Sequence, residues 1–155
     1  MQPRLATPAD CAGITALVNE YWAFEGIAGF EAVPVTLLLK AFLEQPERGL
    51  CVVAESEGAL QGYLLAVYMF SLEHLGMMAE IDELFVLPAA RSSGLGARLL
   101  QSATSHMAER GIVRVQLQLG RANERARHFY ARHGFAPRPG YELMDKPVWP
   151  ASRGV

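Results

Sequence analysis

The stretch IDELFVLPAARSSGLG, residues 81–96, has the composition of a strand that ends at Pro88 and leads into a turn with two glycines, Gly94 and Gly96. Apolar residues at helical spacing follow the turn and predict a helix; they are Leu99, Leu100, Ala103 and Met107. The first amides of a helix have no intrahelical acceptor, so they can bind an anion. Glycines let a phosphate approach the backbone without meeting a Cβ atom. The stretch therefore predicts either a phosphate-binding turn or an ordinary glycine-rich helix start.

Two familiar nucleotide-binding motifs are excluded by the residues of this turn. A dinucleotide fingerprint needs glycine where Leu99 stands and an acidic residue about 20 positions further on. A P-loop needs a Gly-Lys-Ser or Gly-Lys-Thr triplet after the turn, and none follows. A phosphate-binding turn at this position therefore belongs to another class of fold.

The N-terminal part of the chain predicts a strand and two helices. A short strand over residues 2–6 precedes a helix that starts with Thr7 as N-cap and Asp10 in a capping box. A second helix opens at Pro34 and stops before Pro46. Both helices carry acidic residues on the faces that are expected to be exposed to solvent.

Strands dominate the middle of the chain and one further helix follows. Three strands over residues 50–54, 60–70 and 77–86 form an antiparallel meander. The helix after the glycine turn leads to an alternating strand over residues 112–119, which predicts a parallel crossover. A helix capped by Asn123 and a last strand over residues 141–146 complete the order β-α-α-β-β-β-α-β-α-β. We predict one mixed α+β domain over residues 1–155.

The composition is that of a folded chain without a membrane span. Hydrophobic residues make up 51% and charged residues 19% of the 155 residues, far from the signature of disorder. The longest stretch without a formal charge, residues 58–72, is shorter than the roughly 20 residues that cross a bilayer. The first residues lack a basic region followed by an apolar one, so a cytoplasmic location is expected.

Charge is unevenly distributed along the chain. Residues 1–77 carry three basic and nine acidic groups, whereas residues 78–155 carry eleven basic and seven acidic ones. Twelve of the fourteen basic residues are arginine, which suits bidentate contacts with phosphate or carboxylate. The asymmetry indicates either an anionic ligand on the second half or a solvated basic face.

Cysteine and histidine residues show no metal-binding pattern. Cys11 and Cys51 have no second ligand at a suitable spacing, so we expect two buried thiols and neither a zinc site nor a disulfide. The histidines also lack ligand spacing, and no metal is predicted. They are His74, His106, His128 and His133.

Two motifs together resemble the GNAT superfamily of acyl-CoA-dependent N-acyltransferases. The family's loop Arg/Gln-x-x-Gly-x-Gly/Ala follows a strand ending in Val-x-Pro, and here Val86 to Pro88 is followed by Arg91 to Gly96. The second motif, Asn-x-x-Ala-x-x-Phe-Tyr-x-x-x-Gly-Phe, is filled at every position, by Asn123, Ala126, Phe129, Tyr130, Gly134 and Phe135. Residues 4–10 also resemble the family's opening strand and helix start, so the likeness spans nearly the whole chain.

The resemblance implies a splayed, mainly antiparallel mixed sheet of about six to seven strands with four helices on its two faces. Acetyl-CoA, or another acyl-CoA, would lie where the strand ending near Val86 separates from the strand over residues 112–119. Pantetheine would pair with backbone groups of residues 84–86, and the pyrophosphate would contact residues 92–97. The cofactor-binding residues so implied are Leu84, Phe85, Val86, Arg91, Ser92, Ser93, Gly94, Leu95, Gly96, Ala97, Asn123, Ala126 and Phe129.

The implied reaction, attack of an amine on a thioester, needs a base. Deprotonating a lysine-like ammonium at pH 7 costs about 4.6 kcal/mol, so a carboxylate or an ordered water usually helps. Strand alternation puts Glu80 and Asp82 on one face and Glu83 on the other, unless a bulge intervenes. We favour Asp82 for base work or substrate contact, with Glu83 as the other catalytic candidate. The alternative is that these are salt-bridged or solvated strand carboxylates.

Other roles are carried over from the resemblance. Tyr130 is the predicted general acid, since a phenol of pKa about 10 can protonate a thiolate whose thiol has a pKa near 8.5. Asn123 would cap its helix as well as contact the cofactor. The predicted substrate contacts are Glu25, Asp82, Gln116 and Gln118. A basic cluster would either touch the adenosine 3′-phosphate or form a solvated helix face; it comprises Arg121, Arg125, Arg127 and Arg132.

The function that follows is an N-acetyltransferase moving an acetyl or short acyl group to a primary amine of a small molecule or peptide. The acidic first half suggests a cationic acceptor. The alternative is a non-catalytic acyl-CoA-binding sensor or interaction module. Nucleic-acid binding is disfavoured because the net charge is −2, and no membrane partner is expected. A homodimer is expected because family members commonly pair.

Overall fold

The computed structural model describes residues 1–148, and the chain divides into two compact units, Met1–Gly120 and a smaller one from Arg121 onward. Short 3-10 turns precede two of the helices. The first unit contains β1 (Pro3–Leu5), α1 (Cys11–Glu25), α2 (Ala32–Leu43), β2 (Gly49–Ser56), β3 (Ala59–Ser71), β4 (Gly76–Val86), α3 (Leu95–Glu109) and β5 (Arg114–Leu117). The second contains α4 (Glu124–Arg132).

The strands form one sheet in the order β1-β2-β3-β4-β5. Neighbours are antiparallel except β4 and β5, which are parallel. The parallel pair follows from the connection through α3, because a strand that returns after a crossover helix runs in the same direction as the first. The predicted meander, crossover and four helices are confirmed.

The expectation of six to seven strands was wrong: the described residues contain five. Residues 141–146, predicted as a last strand, form no strand. Their large side chains are exposed, at 69% for Tyr141, 70% for Leu143 and 85% for Met144. A strand is stable only with a paired neighbour and a buried face, and this segment has neither. The predicted strand over residues 112–119 is also shorter, because only Arg114–Leu117 pair with β4.

Apolar side chains cover both faces of the sheet. On the α1–α2 face, the core includes Ile14, Val18, Val53, Tyr63 and Phe85, together with Cys11 and Cys51. On the α3 face, the four apolar residues predicted after the glycine turn are all buried. Both thiols are buried, as predicted.

The start of the N-terminal helical segment is held by polar contacts. The backbone N–H of Thr7 donates to Asp10 Oδ2 over 2.7 Å, which confirms the predicted capping arrangement. Arg4 Nη2 also donates to Asp10 Oδ1 over 2.8 Å. This hydrogen bond from Arg4 is the main reason that the pKa of Asp10 is lowered to about 2.

A β-bulge interrupts the ladder between β3 and β4. Glu83 lies opposite Leu65 and Ile81 lies opposite Ala66, so Asp82 is an extra residue without a partner. Because opposite residues of an antiparallel pair point to the same side, Glu83 joins the α1–α2 face together with Phe85. Simple alternation would place Glu80 and Glu83 on opposite faces of the sheet. The bulge breaks the alternation, so both side chains lie on the α1–α2 face.

The strands β4 and β5 pair over a short distance. Their register runs from Met78 with Arg114 to Ile81 with Leu117. Beyond that last pair, residues 82–86 continue β4 without β5 beside them. One edge of β4 is therefore unpaired within the sheet at its carboxyl end, just before the glycine turn. No helix within residues 1–148 is long and apolar enough to span a membrane.

Candidate active site

The unpaired edge of β4 presents backbone amides. The N–H of Leu87 donates to the carbonyl of Gln61 on β3 over 2.9 Å. Since an antiparallel ladder alternates, every second amide before Leu87 faces β3, and those of Leu84 and Val86 face away. The N–H and the C=O of one residue in an antiparallel strand point to the same side. The carbonyl of Val86 also faces away from β3, because it accepts from Arg91 Nε over 2.9 Å. Two amides of residues 84–86, predicted to bind pantetheine, are thus directed to the open edge.

The helix α3 begins at the glycine turn, as predicted. Gly94 is the N-cap and has a φ of +74°, in the left-handed region that favours glycine. The amide of Arg98 donates to the carbonyl of Gly94 over 3.1 Å. The amides of Leu95, Gly96 and Ala97 precede that first intrahelical bond, so they form the donor set of the helix start.

Side-chain bonds hold the turn in this shape. Arg98 Nη1 donates to the carbonyl of Ser93 over 2.9 Å, and Ser93 Oγ donates to the carbonyl of Ala90 over 2.8 Å. Ser92 has a φ of +68°, which is unusual for a residue with a side chain. The turn is therefore built by its own side chains, and a bulky group at Gly94 would enter the space beside Arg98, 3.4 Å from Nη1.

Arg91 lies between the turn and the α1–α2 face. Its guanidinium carbon is 4.7 Å from the ring centroid of Phe24 and 5.6 Å from that of Phe85. Together with the bond to Val86, these contacts tie α1, β4 and the turn to one side chain. The predicted cofactor residue Arg91 thus lies in the turn and contacts both α1 and β4.

The carboxylate of Glu83 is held by two side-chain donors. Trp22 Nε1 donates to its Oε1 over 2.9 Å, and the Tyr63 hydroxyl donates to its Oε2 over 2.5 Å. Burial raises the pKa of Glu83, the two hydrogen bonds oppose this rise, and the nearby charge of Asp82 adds to it. Glu83 is therefore a partly buried carboxylate with a fixed orientation and a raised pKa.

Asp82, the base favoured from the sequence, occupies the bulge. Its side chain reaches solvent, yet the surrounding chain desolvates it in part and raises its pKa, and the charge of Glu80 adds to the rise. Among residues 1–148 no hydrogen bond fixes its carboxyl group in the way that Trp22 and Tyr63 fix that of Glu83. The two acidic neighbours thus differ in how firmly they are positioned.

Gln116 and Gln118, predicted as substrate contacts, are joined to Glu80. Gln116 Nε2 donates to Glu80 Oε2 over 2.6 Å, and Gln118 Nε2 donates to Glu80 Oε1 over 3.0 Å. The three side chains link β4 to the end of β5 where the strands separate. Each glutamine keeps its amide oxygen as an acceptor for another group.

Glu25, the remaining predicted substrate contact, is the last residue of α1 and is exposed. It lies one turn after Tyr21, whose ring centroid is 5.7 Å from that of Phe85. Burial raises the pKa of Tyr21 to about 12, and the charges of Glu25, Glu83 and Asp82 contribute. The end of α1 thus adds negative charge to the same electrostatic environment as β4.

The second predicted motif lies in the smaller unit. Asn123 Oδ1 accepts from the backbone N–H of Ala126 over 3.0 Å, which confirms its predicted role as N-cap of α4. The ring of Tyr130 packs edge-on against Phe129 and Phe135, at 5.1 and 5.3 Å between centroids. The motif therefore forms a compact aromatic cluster around Tyr130.

The basic cluster and the histidines lie in ordinary surroundings. Arg127 Nη2 donates to the carbonyl of Arg121 over 3.2 Å and pairs with Glu124 at 3.8 Å. His106 pairs with Glu109 at 3.5 Å. Among residues 1–148 no group of three or more His, Cys, Asp or Glu residues could hold a metal ion.

A cavity of about 290 Å³ opens elsewhere in the first unit. It lies between the end of α2, the start of β2 and the end of α3, with Phe42, Leu50 and Arg110 in its lining. Since α3 has 15 residues, this end is about 20 Å from the glycine turn. The cavity contains none of the predicted site residues, so we do not assign the acyl-CoA site to it.

Sequence reasoning missed Trp22 and Tyr63, the two donors to Glu83. Trp22 lies in the apolar pattern of a helix and Tyr63 in that of a strand, so neither was assigned a role in the site. A buried tyrosine hydroxyl or indole N–H usually has a hydrogen-bond partner, so their polar atoms were the available signal. The partner itself could not be named from the sequence, because it depends on the bulge at Asp82.

The fold and the site define an acetyltransferase, and comparison with known proteins agrees. Residues 14–135 match the acetyltransferase (GNAT) family, and this chain belongs to that family. It is an acyl-CoA-dependent acetyltransferase, as its motifs predicted. The family generally uses acetyl-CoA as the acyl donor.

Individual relatives are similar over most of their length. The uncharacterized N-acetyltransferase YhfO of Bacillus subtilis is 32% identical over 145 residues, covering 91% of this chain and 93% of its own. An uncharacterized N-acetyltransferase of Archaeoglobus fulgidus is 34% identical, covering 76% and 80%. The crystal structure of the integron cassette protein HFX_CASS3, from the mobile metagenome of Cole Harbour Salt Marsh, has a TM-score of 0.84 at 26% identity, covering 96% and 91%.

Proposed function

We propose that this enzyme transfers an acetyl or short acyl group from acyl-CoA to a primary amine of a small molecule or peptide, with Glu83 as the base. The observation that carries the proposal is the carboxylate of Glu83, held by two donors on the strand whose open edge leads into the glycine turn. A base, an extended edge and an anion-binding helix start thus follow one another within residues 83–97.

The residues of the first unit fit an acyl-CoA. The outward amide of Val86 matches the hydrogen-bonding needs of an extended amide-containing arm such as pantetheine. The helix start at Gly94 offers amides to a diphosphate, and glycine leaves no Cβ atom beside them. When bound, the cofactor supplies an activated acyl thioester.

Glu83 has the properties that a general base for an ammonium requires. Its pKa is raised by burial, which brings its proton affinity closer to that of an amine. The bonds from Trp22 and Tyr63 occupy one acceptor position on each oxygen, and each oxygen keeps another for an incoming N–H or an ordered water. Asp82, favoured from the sequence, is then the substrate contact at the rim of the site.

Tyr130 is proposed as the acid that returns a proton to the departing sulfur. Support comes from its position in the second motif, which matches the family's pattern at every residue. The surrounding rings of Phe129 and Phe135 restrict the orientation of its phenol. The backbone N–H of Leu84, directed to the open edge of β4, is proposed to stabilise the developing negative charge.

The acceptor is proposed to be an amine that is cationic in solution. Four carboxylates support this: Glu80, Asp82 and Glu83 on β4, and Glu25 at the end of α1. A field of one sign raises the local concentration of an oppositely charged substrate. The amide oxygens of Gln116 and Gln118 are acceptors for its further N–H groups.

We also propose a cytoplasmic homodimer. Large apolar side chains at the tip of the β3–β4 hairpin support an association surface, since Phe70, Leu72 and Leu75 are exposed. Light scattering of the purified protein tests this, and a single species with the mass of one chain at micromolar concentration would contradict it.

An amine-panel assay tests the proposed function. Purified protein is incubated with acetyl-CoA and one amine at a time, from diamines and amino compounds to peptides with a free amine, and released thiol is measured. We expect thiol release that depends on the amine and is greatest for cationic acceptors. Release that is the same with and without every amine would contradict the proposal.

A further inference from the structure

Two donors from different elements converge on Glu83. Trp22 reaches it from α1 and Tyr63 from the neighbouring strand β3, and each donates to a different oxygen. The side chain of Tyr63 is fully buried. A phenylalanine would fill the same space in this core, so packing alone does not require the hydroxyl.

From this arrangement we infer that Tyr63 and Trp22 are positioning residues of the acetyl transfer. They hold the carboxyl group of Glu83 in its ionised form and in one orientation, so that it can accept the proton of the amine. The inference rests on the proposed function, in which Glu83 is the base. Neither side chain is assigned a contact with substrate.

The groups around Glu83 determine the direction in which its pKa changes when a hydrogen-bond donor is removed. On its own strand, Asp82 adds negative charge, which raises the pKa of Glu83. On α1, Tyr21 is uncharged at neutral pH, since burial raises its pKa to about 12. On β2, burial raises the pKa of the Cys51 thiol, so it is uncharged too. The hydrogen bonds from Tyr63 and Trp22 lower the pKa of Glu83, in opposition to burial and Asp82.

Removal of either donor therefore shifts the ionisation of Glu83 in a defined direction. A hydrogen bond donated to a carboxylate stabilises the ionised form. Without it the pKa of Glu83 rises further, and more of the base is protonated at a given pH. A change that only loosened the fold would lower activity by the same factor at every pH.

The direct test is an NMR titration of the free protein, labelled with carbon-13 at the glutamate carboxyl carbons. The variant Glu83→Gln identifies the resonance of Glu83 by its disappearance. We expect a higher titration midpoint for Glu83 in Tyr63→Phe and in Trp22→Phe than in the unchanged protein. An unchanged or lower midpoint in both variants would overturn the inference.

Tyr68→Phe is the matched control. Tyr68 lies on the same strand β3, and its hydroxyl is buried without a hydrogen-bond partner in the described chain. Its removal deletes the same atom from the same strand without touching Glu83. We expect an unchanged midpoint, whereas a rise equal to that in Tyr63→Phe would assign the effect to the fold and overturn the inference.

Kinetics with the best acceptor of the amine panel provide the second readout. In Tyr63→Phe, the acid limb of the profile of kcat/KM against pH should move to higher pH. At the acidic end of that limb, kcat/KM should be roughly tenfold lower than in the unchanged protein. If Glu83→Gln loses activity while Tyr63→Phe and Trp22→Phe keep the original limb, only the positioning inference fails. If Glu83→Gln stays fully active, the proposed base itself fails.

Discussion

Glu83 lies opposite Leu65 although Ile81 lies opposite Ala66, so one residue of β4, Asp82, has no partner on β3. This offset turns Glu83 toward α1, where Trp22 donates to it. If alternation continued unbroken from Glu80, the side chain of Glu83 would point to the α3 face of the sheet. The offset thus decides which of two adjacent carboxylates is held in a fixed position.

The first prediction compares those two carboxylates. Glu83→Gln should lower kcat/KM roughly 10²- to 10⁴-fold, the usual contribution of a general base. Asp82→Asn, its matched control one residue away, should change KM for the amine more than kcat. Steady-state kinetics at saturating acetyl-CoA checks both. A greater loss of kcat in Asp82→Asn than in Glu83→Gln would indicate that Asp82, and not Glu83, is the general base.

The second prediction concerns the glycine turn. Gly94→Glu places bulk and negative charge beside the helix start, so calorimetry should detect no CoA binding while circular dichroism remains that of a folded protein. Gly111→Glu is the control, because Gly111 has a similar φ of +76° beyond the other end of α3 and open space around it. Equal CoA affinity in both variants would contradict the assignment of the turn.

The third prediction concerns Tyr130. Tyr130→Phe should lower kcat by at least about tenfold, because the proton for the departing sulfur then comes from water. The affinity for acetyl-CoA, measured by calorimetry, should change little, since the ring contacts of Tyr130 with Phe129 and Phe135 are retained. A loss confined to affinity would argue for a binding role instead.

The fourth prediction is a pH dependence of stability from Asp10. The hydrogen bond from Arg4 lowers the pKa of Asp10 in the folded protein to about 2, from the ordinary value of 3.8. The stabilisation is therefore complete above about pH 4 and disappears as the pH falls toward 2. Asp10→Asn should lower the free energy of unfolding by about 1 kcal/mol at pH 7, a value discounted because the ion pair is partly exposed.

Urea denaturation at several pH values checks the Asp10 prediction. The difference between Asp10→Asn and the unchanged protein should shrink steadily below pH 4. Glu55→Gln is a useful comparison, because Glu55 bonds the same Arg4 at 3.1 Å but lies more exposed. A difference for Asp10→Asn that stays constant down to pH 2 would exclude the ion pair as its source.

Local patterns were enough to predict most elements of this fold. The capping residues Thr7 and Asp10, the glycine at the start of α3 and the N-cap Asn123 all act within a few residues of their positions in sequence. The crossover from β4 to β5 followed from a helix between two strands. Each of these features depends on short-range geometry, which the order of residues specifies directly.

The errors came from pairing between distant segments. Residues 141–146 have strand-like composition, yet a strand exists only where another strand accepts it, and no pairing includes them in the described chain. The placement of Glu83 on the face opposite Glu80 assumed a regular alternation. The bulge that breaks it requires the β3 partner and its register, which the sequence of β4 alone does not contain.

The sequence by itself determined the family, the glycine turn at the start of α3 and the run of carboxylates on β4, because motifs and caps depend on neighbours along the chain. The tertiary structure alone decided that Glu83 rather than Asp82 is held by Trp22 and Tyr63. Those three residues come from α1, β3 and β4, and only packing brings their polar atoms within hydrogen-bonding distance.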